Sequence, residues 1–394
     1  DGFIITVDYK YTCNEKRNQK EQKKVTRIDM SSSRPPLWKV WFVAARPHTF
    51  SASIAPNIVA YNVGISLIDG TSINSTWSSF FCLTLEWTVF CMLMQLGTNL
   101  HNDYADFVKG ADNEKRVGHA RATQKGWLTP YQTAMASGVT LLIGLLLGIW
   151  LIINIATSTS NTNSNSNEKK QQQLHIVIMS FIVVTSIFNA FAYTGGPWPL
   201  GYIGMGNFSL GYLGLGDLFV FLYFGLVATM VPPFMYISCT VNDDTNNSNN
   251  TTEVLSKLLW TFTPYAIQVA TLATNIIVVN NLRDRHTDAV ANKRTLAVRF
   301  GASFCRIEYG VNIFVAYGLT LGMWCFSVSY DDNSLTSSVR LLPLLSFPLA
   351  LKEWQALYKK DEGALNPHVG GAAKVQLLFC ILLAISVRIS RLQQ

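Results

Sequence analysis

A run of 19 residues without a charged side chain, GVTLLIGLLLGIWLIINIA at positions 138–156, constrains the fold of this chain more than any other feature. About 20 apolar residues in a helix span the hydrocarbon core of a bilayer. Similar runs recur along the chain, and only 14% of its 394 residues are charged, against about 25% in soluble domains. The sequence therefore predicts an all-α, multi-pass membrane protein in contact with the lipid bilayer.

The apolar runs predict nine membrane-spanning helices within a domain that covers residues 38–394. They are expected at 38–66, 79–101, 130–156, 174–193, 216–239, 254–281, 303–327, 338–357 and 369–389. Residues 1–37 form a polar, basic segment, interpreted as the remnant of a targeting sequence. The Asn-rich tracts 157–173 and 241–252 cannot form an apolar core and are interpreted as loop insertions.

Charge and cysteine patterns exclude several classes of function. The net charge of +7 lies mostly in the N-terminal segment and in a few loops, so nucleic acid is not an expected partner of this apolar chain. The seven cysteines contain no C-x-x-C pair, which argues against a zinc site or a disulfide framework. Lys and Arg concentrate on the side of a membrane that is not translocated. With nine spans, this rule places residues 99–125 and 280–299 on the same face.

The stretch NLHNDYADFVKGAD at 99–112 brings amides and carboxylates directly after an apolar run. If the helix continues through it, Asn99, Asp103 and Asp106 fall at i, i+4 and i+7 and share one face. Asn102 lies beside that face. Ionised groups next to hydrocarbon are costly, so this array calls for a specific partner.

A second array of the same kind ends the predicted sixth helix. Asn280, Asp284 and Asp288 fall at i, i+4 and i+8. Clustered carboxylates suit a hard divalent cation, which takes oxygen ligands. Basic residues accompany both arrays: Lys109, Arg116, Arg121 and Lys125, and Arg283, Arg285, Lys293 and Arg294. Acids for a metal and bases for phosphate oxygens together predict a metal–diphosphate site.

Two other interpretations stay open from the residues alone. Each array by itself could be an ordinary helix end with solvated charges. An ion-coupled transporter would also place acids in a membrane domain, but near the midplane and on broken helices.

These motifs resemble the UbiA-type intramembrane prenyltransferases, and among them the 1,4-dihydroxy-2-naphthoate branch. The matching stretches run through nearly the whole chain from residue 40: RPHTFSASIAPNIVAYNVG (46–64), QLGTNLHNDYADFVKGAD (95–112), RATQKGWLTP (121–130), YTGGPWPLGYIGMG (193–206), GLGDLFVFLYFGLVA (214–228), NNLRDRHTDAVANKRTLAVRFG (280–301) and NPHVGGAAKVQLLF (366–379). Ubiquinone-type and haem-type members usually carry a further Asp where this chain has Gly110, with Asp112 beyond it. The resemblance implies a nine-helix bundle around a central active-site cavity.

The resemblance also implies roles for individual residues. The implied metal ligands, whose four carboxylates are also the implied catalytic groups, are Asn99, Asp103, Asp106, Asp284 and Asp288. The implied diphosphate-binding residues are Lys109, Arg116, Arg121, Lys293 and Arg294. The implied acceptor and prenyl pocket contains Arg46, Asn102, Tyr193, Asp217, Asn280 and Asn281. Asp112 is expected to assist the first motif, and Asp217 is the candidate base for the acceptor.

Three of these residues have a plainer interpretation. Arg46 could be a snorkelling anchor at the membrane surface. Tyr193 begins a Gly-rich stretch that could simply turn. Asp217 could be an acid that a helix N-terminus favours.

The implied reaction is Mg²⁺-dependent transfer of a phytyl or polyprenyl group from its diphosphate to 1,4-dihydroxy-2-naphthoate, with loss of CO₂ and diphosphate. Another aromatic acceptor, such as 4-hydroxybenzoate or homogentisate, is the alternative within the family. The Asn-rich loops favour a plastid membrane and phylloquinone synthesis, with a bacterial plasma membrane and menaquinone as the alternative.

Overall fold

The computed structural model describes residues 34–68, 73–110, 112, 116–157, 166–195, 213–240, 250–328 and 338–392. All regular elements in these ranges are helical. The α-helices are α1 (Leu37–Ala45), α2 (Ser51–Ile68), α3 (Ile73–Val108), α4 (Pro130–Thr157), α5 (Ser166–Ala192), α6 (Gly216–Val220), α7 (Ala228–Thr240), α8 (Asn250–Val290), α9 (Leu296–Val328), α10 (Phe347–Lys359) and α11 (Asn366–Leu392).

Parts of the predicted segments fall outside this description. They are residues 1–33 of the N-terminal segment, 158–165 and 241–249 of the Asn-rich tracts, and 196–212 of the Gly-rich stretch. The end of the first Asn-rich tract differs from the prediction, since residues 166–173 are helical and begin α5.

Seven spans in the described chain are long and apolar enough to cross a bilayer. They are Ser78–Val108, Pro130–Thr157, Lys169–Ala192, Gly216–Cys239, Leu258–Val290, Leu296–Phe326 and Glu362–Ser390. Their outer faces are apolar: Leu142, Leu146 and Trp150 of α4, for example, are each more than half exposed. Side chains of this kind on an outer surface suit contact with lipid, which confirms the prediction of a multi-pass membrane protein.

The predicted first span at 38–66 is interrupted. Helix α1 ends at Ala45, Arg46 takes a left-handed conformation with φ 53°, and a 3₁₀ turn over Pro47–Thr49 precedes α2. Pro47 offers no backbone N–H and disfavours helical geometry at the residue before it. The single helix that the apolar run predicts is therefore two helices, α1 of nine residues and α2 of 18.

The predicted eighth span at 338–357 is also shorter than expected. A 3₁₀ helix over Leu342–Ser346 leads into α10, which has 13 residues. At 1.5 Å per residue α10 is about 20 Å long, less than the roughly 30 Å hydrocarbon core. Prolines at 343 and 348 account for the break, since each removes a backbone donor. The nine predicted spans are therefore seven long helices and two interrupted ones within the described ranges.

Two helices run further than predicted, and both carry the polar arrays. Helix α3 continues past residue 101 to Val108, and α8 continues past residue 281 to Val290. Each array therefore occupies the last turns of a long helix, which is the condition for its amides and carboxylates to share a face.

A π-helical segment over Phe221–Val227 joins α6 to α7 into one span. Its backbone packs closely on α8, because a Cβ added to Gly225 would lie 2.1 Å from the Cβ of Ala270. A π turn widens a helix and often marks a functional site. This one holds its side chains against the bundle interior.

We expect Gly225→Ala to destabilise the bundle, because the added methyl group cannot fit against Ala270 without moving a backbone. Overpacking of this kind costs about 1–3 kcal/mol, so thermal unfolding in detergent should shift several degrees lower. Gly318→Ala in α9 is the control, since nothing lies within 4 Å of its added Cβ. An equal effect of both substitutions would contradict this packing.

Candidate active site

The first polar array ends in a turn that returns the chain to the site. Gly110, with φ 74°, stops α3 in the left-handed conformation that favours glycine. The backbone N–H of Asp112 then donates to the carbonyl of Asp106 at 3.1 Å. Asp112 is thus brought beside the array rather than continuing away from it.

The second array ends in the same way with a different residue. Asn292, with φ 56°, follows the end of α8, and asparagine tolerates this conformation better than most residues. The backbone N–H of Lys293 donates to the carbonyl of Asp288 at 2.8 Å. Lys293 Nζ consequently lies 3.7 Å from Asp288 Oδ1.

Arg121 is the central cation of the first array. Its Nη1 lies 2.8 Å from Asp106 Oδ2 and 2.7 Å from Asp112 Oδ2, and its Nε lies 3.5 Å from Asp103 Oδ1. The same Nη1 donates to the carbonyl of Asn102 at 3.0 Å. All of these residues are buried, so one guanidinium offsets the charge of three buried carboxylates.

Arg46, at the break between α1 and α2, places a second guanidinium group beside the first array. Arg46 pairs with Asp103 Oδ1. Asn99 holds the break in place, since its Nδ2 donates to the carbonyl of Ala45 at 3.0 Å and contacts Thr49 Oγ1 at 3.1 Å. The left-handed residue that interrupts the predicted helix is therefore a residue of the site.

Arg283 plays the corresponding part in the second array. Its Nε and Nη2 donate to the two carboxylate oxygens of Asp284 at 2.7 and 2.6 Å. Its Nη2 also donates to Asn280 Oδ1 at 2.7 Å. Arg283 is 3% exposed, and a bidentate pair of this kind fixes both side chains.

The carboxylates leave particular oxygens for a divalent cation. Asp103 Oδ2 and Asp288 Oδ2, one from each array, are buried and accept no hydrogen bond in the described structure. Within the same ranges no three His, Cys, Asp or Glu side chains converge on a point that could hold a metal. Mg²⁺ commonly takes one or two protein carboxylates and completes its shell with water and substrate phosphate, so these residues fit a metal bound together with a phosphate ligand.

One cavity of about 220 Å³ opens between the arrays and continues into the bundle. Its polar lining at the array end comprises Arg46, Asn99, Asn102, Asp106, Arg116, Arg121, Tyr193, Asn280 and Lys293. Its deeper lining is mainly apolar and comprises Trp87, Phe90, Met94, Phe219, Phe224, Val227, Ala273, Ile276 and Ile277, among others. The cavity therefore suits a ligand with an anionic head and an apolar tail.

Comparisons with known proteins agree with this geometry. Residues 174–366, which include the second array, match the UbiA prenyltransferase family. These residues, about half of the chain, are similar to a UbiA-type prenyltransferase domain. The 1,4-dihydroxy-2-naphthoate octaprenyltransferase of Escherichia coli is 26% identical over 90% of this chain and 96% of its own. The protein of the same name from Mycobacterium tuberculosis is 28% identical over 72% of this chain and 80% of its own. A UbiA prenyltransferase domain-containing protein 1 homolog from Drosophila melanogaster is 25% identical over 88% and 79%.

Burial and neighbouring charges set the protonation of the cationic side chains at the site. Burial alone would lower the pKa of Arg121, but Asp112, Asp106 and Asp103 together raise it above its usual value. Burial, with Arg121 nearby, lowers the pKa of Arg116 to about 10. Both side chains are therefore cationic at neutral pH. Burial also raises the pKa of Tyr193 to about 12, so its hydroxyl keeps its proton.

Some predicted site residues lie outside the cavity lining. Asn281 Nδ2 donates to Asp217 at 3.3 Å, and the two are buried together beside the cavity wall. Lys109 Nζ donates to the carbonyl of Thr194. Arg294 is exposed. Their predicted roles in binding stay predictions.

Sequence reasoning missed the apolar wall of the cavity. Trp87 and Phe90 stack with ring centroids 4.9 Å apart, and Trp87 Nε1 of α3 donates to the carbonyl of Ala228 of α7 at 3.2 Å. A signal was present, because Trp87, Met94 and Asn102 share one helical stripe of α3.

We expect Arg121→Met to lower the unfolding temperature of this protein strongly. Removing one partner of a buried ion pair costs about 3–5 kcal/mol, and here three carboxylates lose their shared cation. Addition of Mg²⁺ should restore part of the loss, because the metal can offset the same charges.

Arg285→Met is the matched control for thermal unfolding. Arg285 also pairs with a carboxylate, but that partner, Asp361, is 47% exposed, and exposed pairs contribute about 0–1 kcal/mol. Equal stability of Arg121→Met and the wild-type chain, with or without Mg²⁺, would contradict the assignment.

Proposed function

We propose that this chain transfers a prenyl group, phytyl or polyprenyl, from its diphosphate to 1,4-dihydroxy-2-naphthoate. The products are a demethylated naphthoquinol, CO₂ and diphosphate. The names of the relatives from Escherichia coli and Mycobacterium tuberculosis support this acceptor. We place it in a plastid membrane, because the Asn-rich tracts 157–173 and 241–252 and the long polar N-terminal segment favour a eukaryotic source.

The observation that carries the proposal is the two-part lining of the cavity. Its array end brings Arg116, Arg121 and Lys293 together with Asp106, whereas its deeper end is lined by Trp87 and other apolar side chains. A prenyl diphosphate has the same division between a multiply charged head and a hydrocarbon tail. Burying the tail is favourable by about 25 cal/mol per Å² of apolar surface.

Mg²⁺ is the cofactor that we propose for this site. One carboxylate from α3, Asp103 or Asp106, and Asp288 from α8 would hold it together with the diphosphate oxygens, since Asp103 and Asp288 each keep an oxygen without a hydrogen bond. When bound, the metal supplies a Lewis acid that offsets negative charge on the diphosphate oxygens. Asp284 accepts a hydrogen bond from Arg283 and would stabilise the second array without binding the metal.

The cationic side chains of the site promote departure of the diphosphate. Arg116, Arg121 and Lys293 line the cavity and would donate to the oxygens on which charge accumulates as the C1–O bond breaks. Donors aimed at developing charge in a site that excludes water are the largest contribution in many enzymes. The bond's electron pair leaves with the diphosphate, and an allylic cation remains at C1.

The deeper cavity protects that cation until the acceptor reacts. Apolar and aromatic walls exclude water, which would otherwise capture the cation. The electron-rich naphthoate ring then forms a carbon–carbon bond to C1, and loss of its carboxylate as CO₂ restores the aromatic ring. Tyr193, whose hydroxyl stays protonated, is placed to hydrogen bond with the acceptor at the array end of the cavity. Asp217 lies outside the lining, so this route uses no base there.

The test is a prenyl-transfer assay with the purified chain in lipid and Mg²⁺. Phytyl, geranylgeranyl and longer diphosphates are each offered with 1,4-dihydroxy-2-naphthoate, 4-hydroxybenzoate or homogentisate, and products are identified by mass spectrometry. We expect a decarboxylated, prenylated naphthoquinol and release of diphosphate. Turnover of another ring without turnover of the naphthoate would overturn the acceptor, and no turnover of any ring would overturn the reaction.

A further inference from the structure

A single amide side chain joins the two halves of the site. Asn366 is the first residue of α11, far in sequence from both arrays. Its Oδ1 accepts a hydrogen bond from Arg283 Nη1 at 3.0 Å, and its Nδ2 donates to the carbonyl of Val117 at 2.9 Å. One contact reaches the second array, and the other reaches the loop that follows the first.

The contact with Arg283 extends to the carboxylates of α8. Arg283 donates hydrogen bonds to both carboxylate oxygens of Asp284 and to Asn280 Oδ1. Because Arg283 is buried and all three of its nitrogens donate hydrogen bonds, a shift of Asn366 would be passed on to Asp284. The neighbouring chain is anchored as well, since Arg285 pairs with Asp361 just ahead of α11.

The contact with Val117 holds the loop that carries the arginines of the first array. Val117 lies in the loop between Arg116 and Arg121. At the next residue, an added Cβ on Gly118 would lie 2.9 Å from Arg283 Nη2 and 3.0 Å from Arg116 Nη2. The loop backbone therefore passes directly beside a guanidinium of each half of the site, and glycine is needed there for space.

An asparagine at a helix start usually caps its own helix, with its oxygen accepting from a backbone N–H two or three residues on. Asn366 does not do so, because its oxygen accepts from Arg283 and its amide nitrogen donates to Val117. Both polar groups of the side chain thus bind elements outside α11. Helix capping does not explain this residue.

We propose that Asn366 is a positioning residue that sets the separation between the two carboxylate arrays. We call the junction of Asn366, Arg283, Val117 and Gly118 the clasp. Helices α3 and α8 line the cavity from different sides, and a head group held by both needs them at a fixed distance. The clasp supplies that constraint without contacting the ligand. This inference rests on the proposed function for the identity of that ligand, a metal-bound diphosphate.

The experiment measures binding of inorganic diphosphate with Mg²⁺, as the shift in thermal unfolding of the full chain in detergent. Asn366→Leu removes both hydrogen bonds of the clasp. Asn366→Asp keeps an acceptor for Arg283 but loses the donor to Val117. We expect at least tenfold weaker diphosphate binding for both, because each releases the loop from the second array.

Asn312→Leu is the matched control. Asn312 is half-buried, like Asn366, and its Nδ2 donates to Asn275 Oδ1 at 3.0 Å between α8 and α9. It should lose stability without losing affinity for diphosphate. Gly118→Ala should weaken binding in the same direction as Asn366→Leu, and the two effects should not add, since both act on one junction.

Three results would overturn the clasp: wild-type affinity in Asn366→Leu, full recovery in Asn366→Asp, or an equal loss of affinity in Asn312→Leu. Failure of the proposed acceptor is a separate result, because this assay contains no acceptor. If diphosphate and Mg²⁺ do not stabilise the wild-type chain at all, the metal–diphosphate site and the clasp both fail.

Discussion

The site depends first on how buried charge is balanced beside a hydrocarbon environment. Arg121 contacts Asp103, Asp106 and Asp112 at once, while Arg46 also pairs with Asp103 and Arg116 with Asp112. Such clusters are costly unless each charge is paired. Arg283 and Lys293 do the same for the second array. The paired groups hold the end of the cavity in a form that a metal and a diphosphate can enter together.

That balance explains why the arrays lie in the last turns of α3 and α8. A helix end allows the chain to turn back, and Gly110 and Asn292 both adopt the left-handed conformation that does this. The first turn places Asp112 beside the first array, and the second places Lys293 beside the second array. The deeper parts of the same helices are free to carry the apolar lining. Both helices therefore contribute to the charged end and to the apolar end of the cavity.

The fold and the first contacts of the site followed from local signals in the sequence. Apolar run length predicts spans, and the i, i+4 spacing placed each array on one face. The break at Arg46 was not predicted, since the apolar run at 38–66 indicated one continuous helix, although Pro47 disfavours helical geometry at the residue before it. Sequence spacing also leaves open which of two neighbouring side chains faces the cavity. Asn280 lines the cavity whereas Asn281 turns to Asp217, because successive helical residues point about 100° apart.

Contacts across the chain had no sequence signal at all. Asn366 is 83 residues from Arg283 and 249 from Val117, and no periodicity connects positions so far apart. In the sequence, Gly118 resembles any other loop glycine, and only the structure places two guanidinium groups beside it. Packing between helices decides such contacts, and this is why the clasp emerged only from the structure.

The central claim is that both arrays hold one metal–diphosphate group, and Mn²⁺ binding followed by electron paramagnetic resonance tests it most directly. Mn²⁺ replaces Mg²⁺ as the probe, with inorganic diphosphate present, in the wild-type chain, Asp106→Asn, Asp288→Asn and the double variant. The account predicts that either single substitution weakens Mn²⁺ binding at least tenfold and that the double variant is little worse than either. Unchanged Mn²⁺ binding after loss of one array, or strictly additive effects, would contradict it.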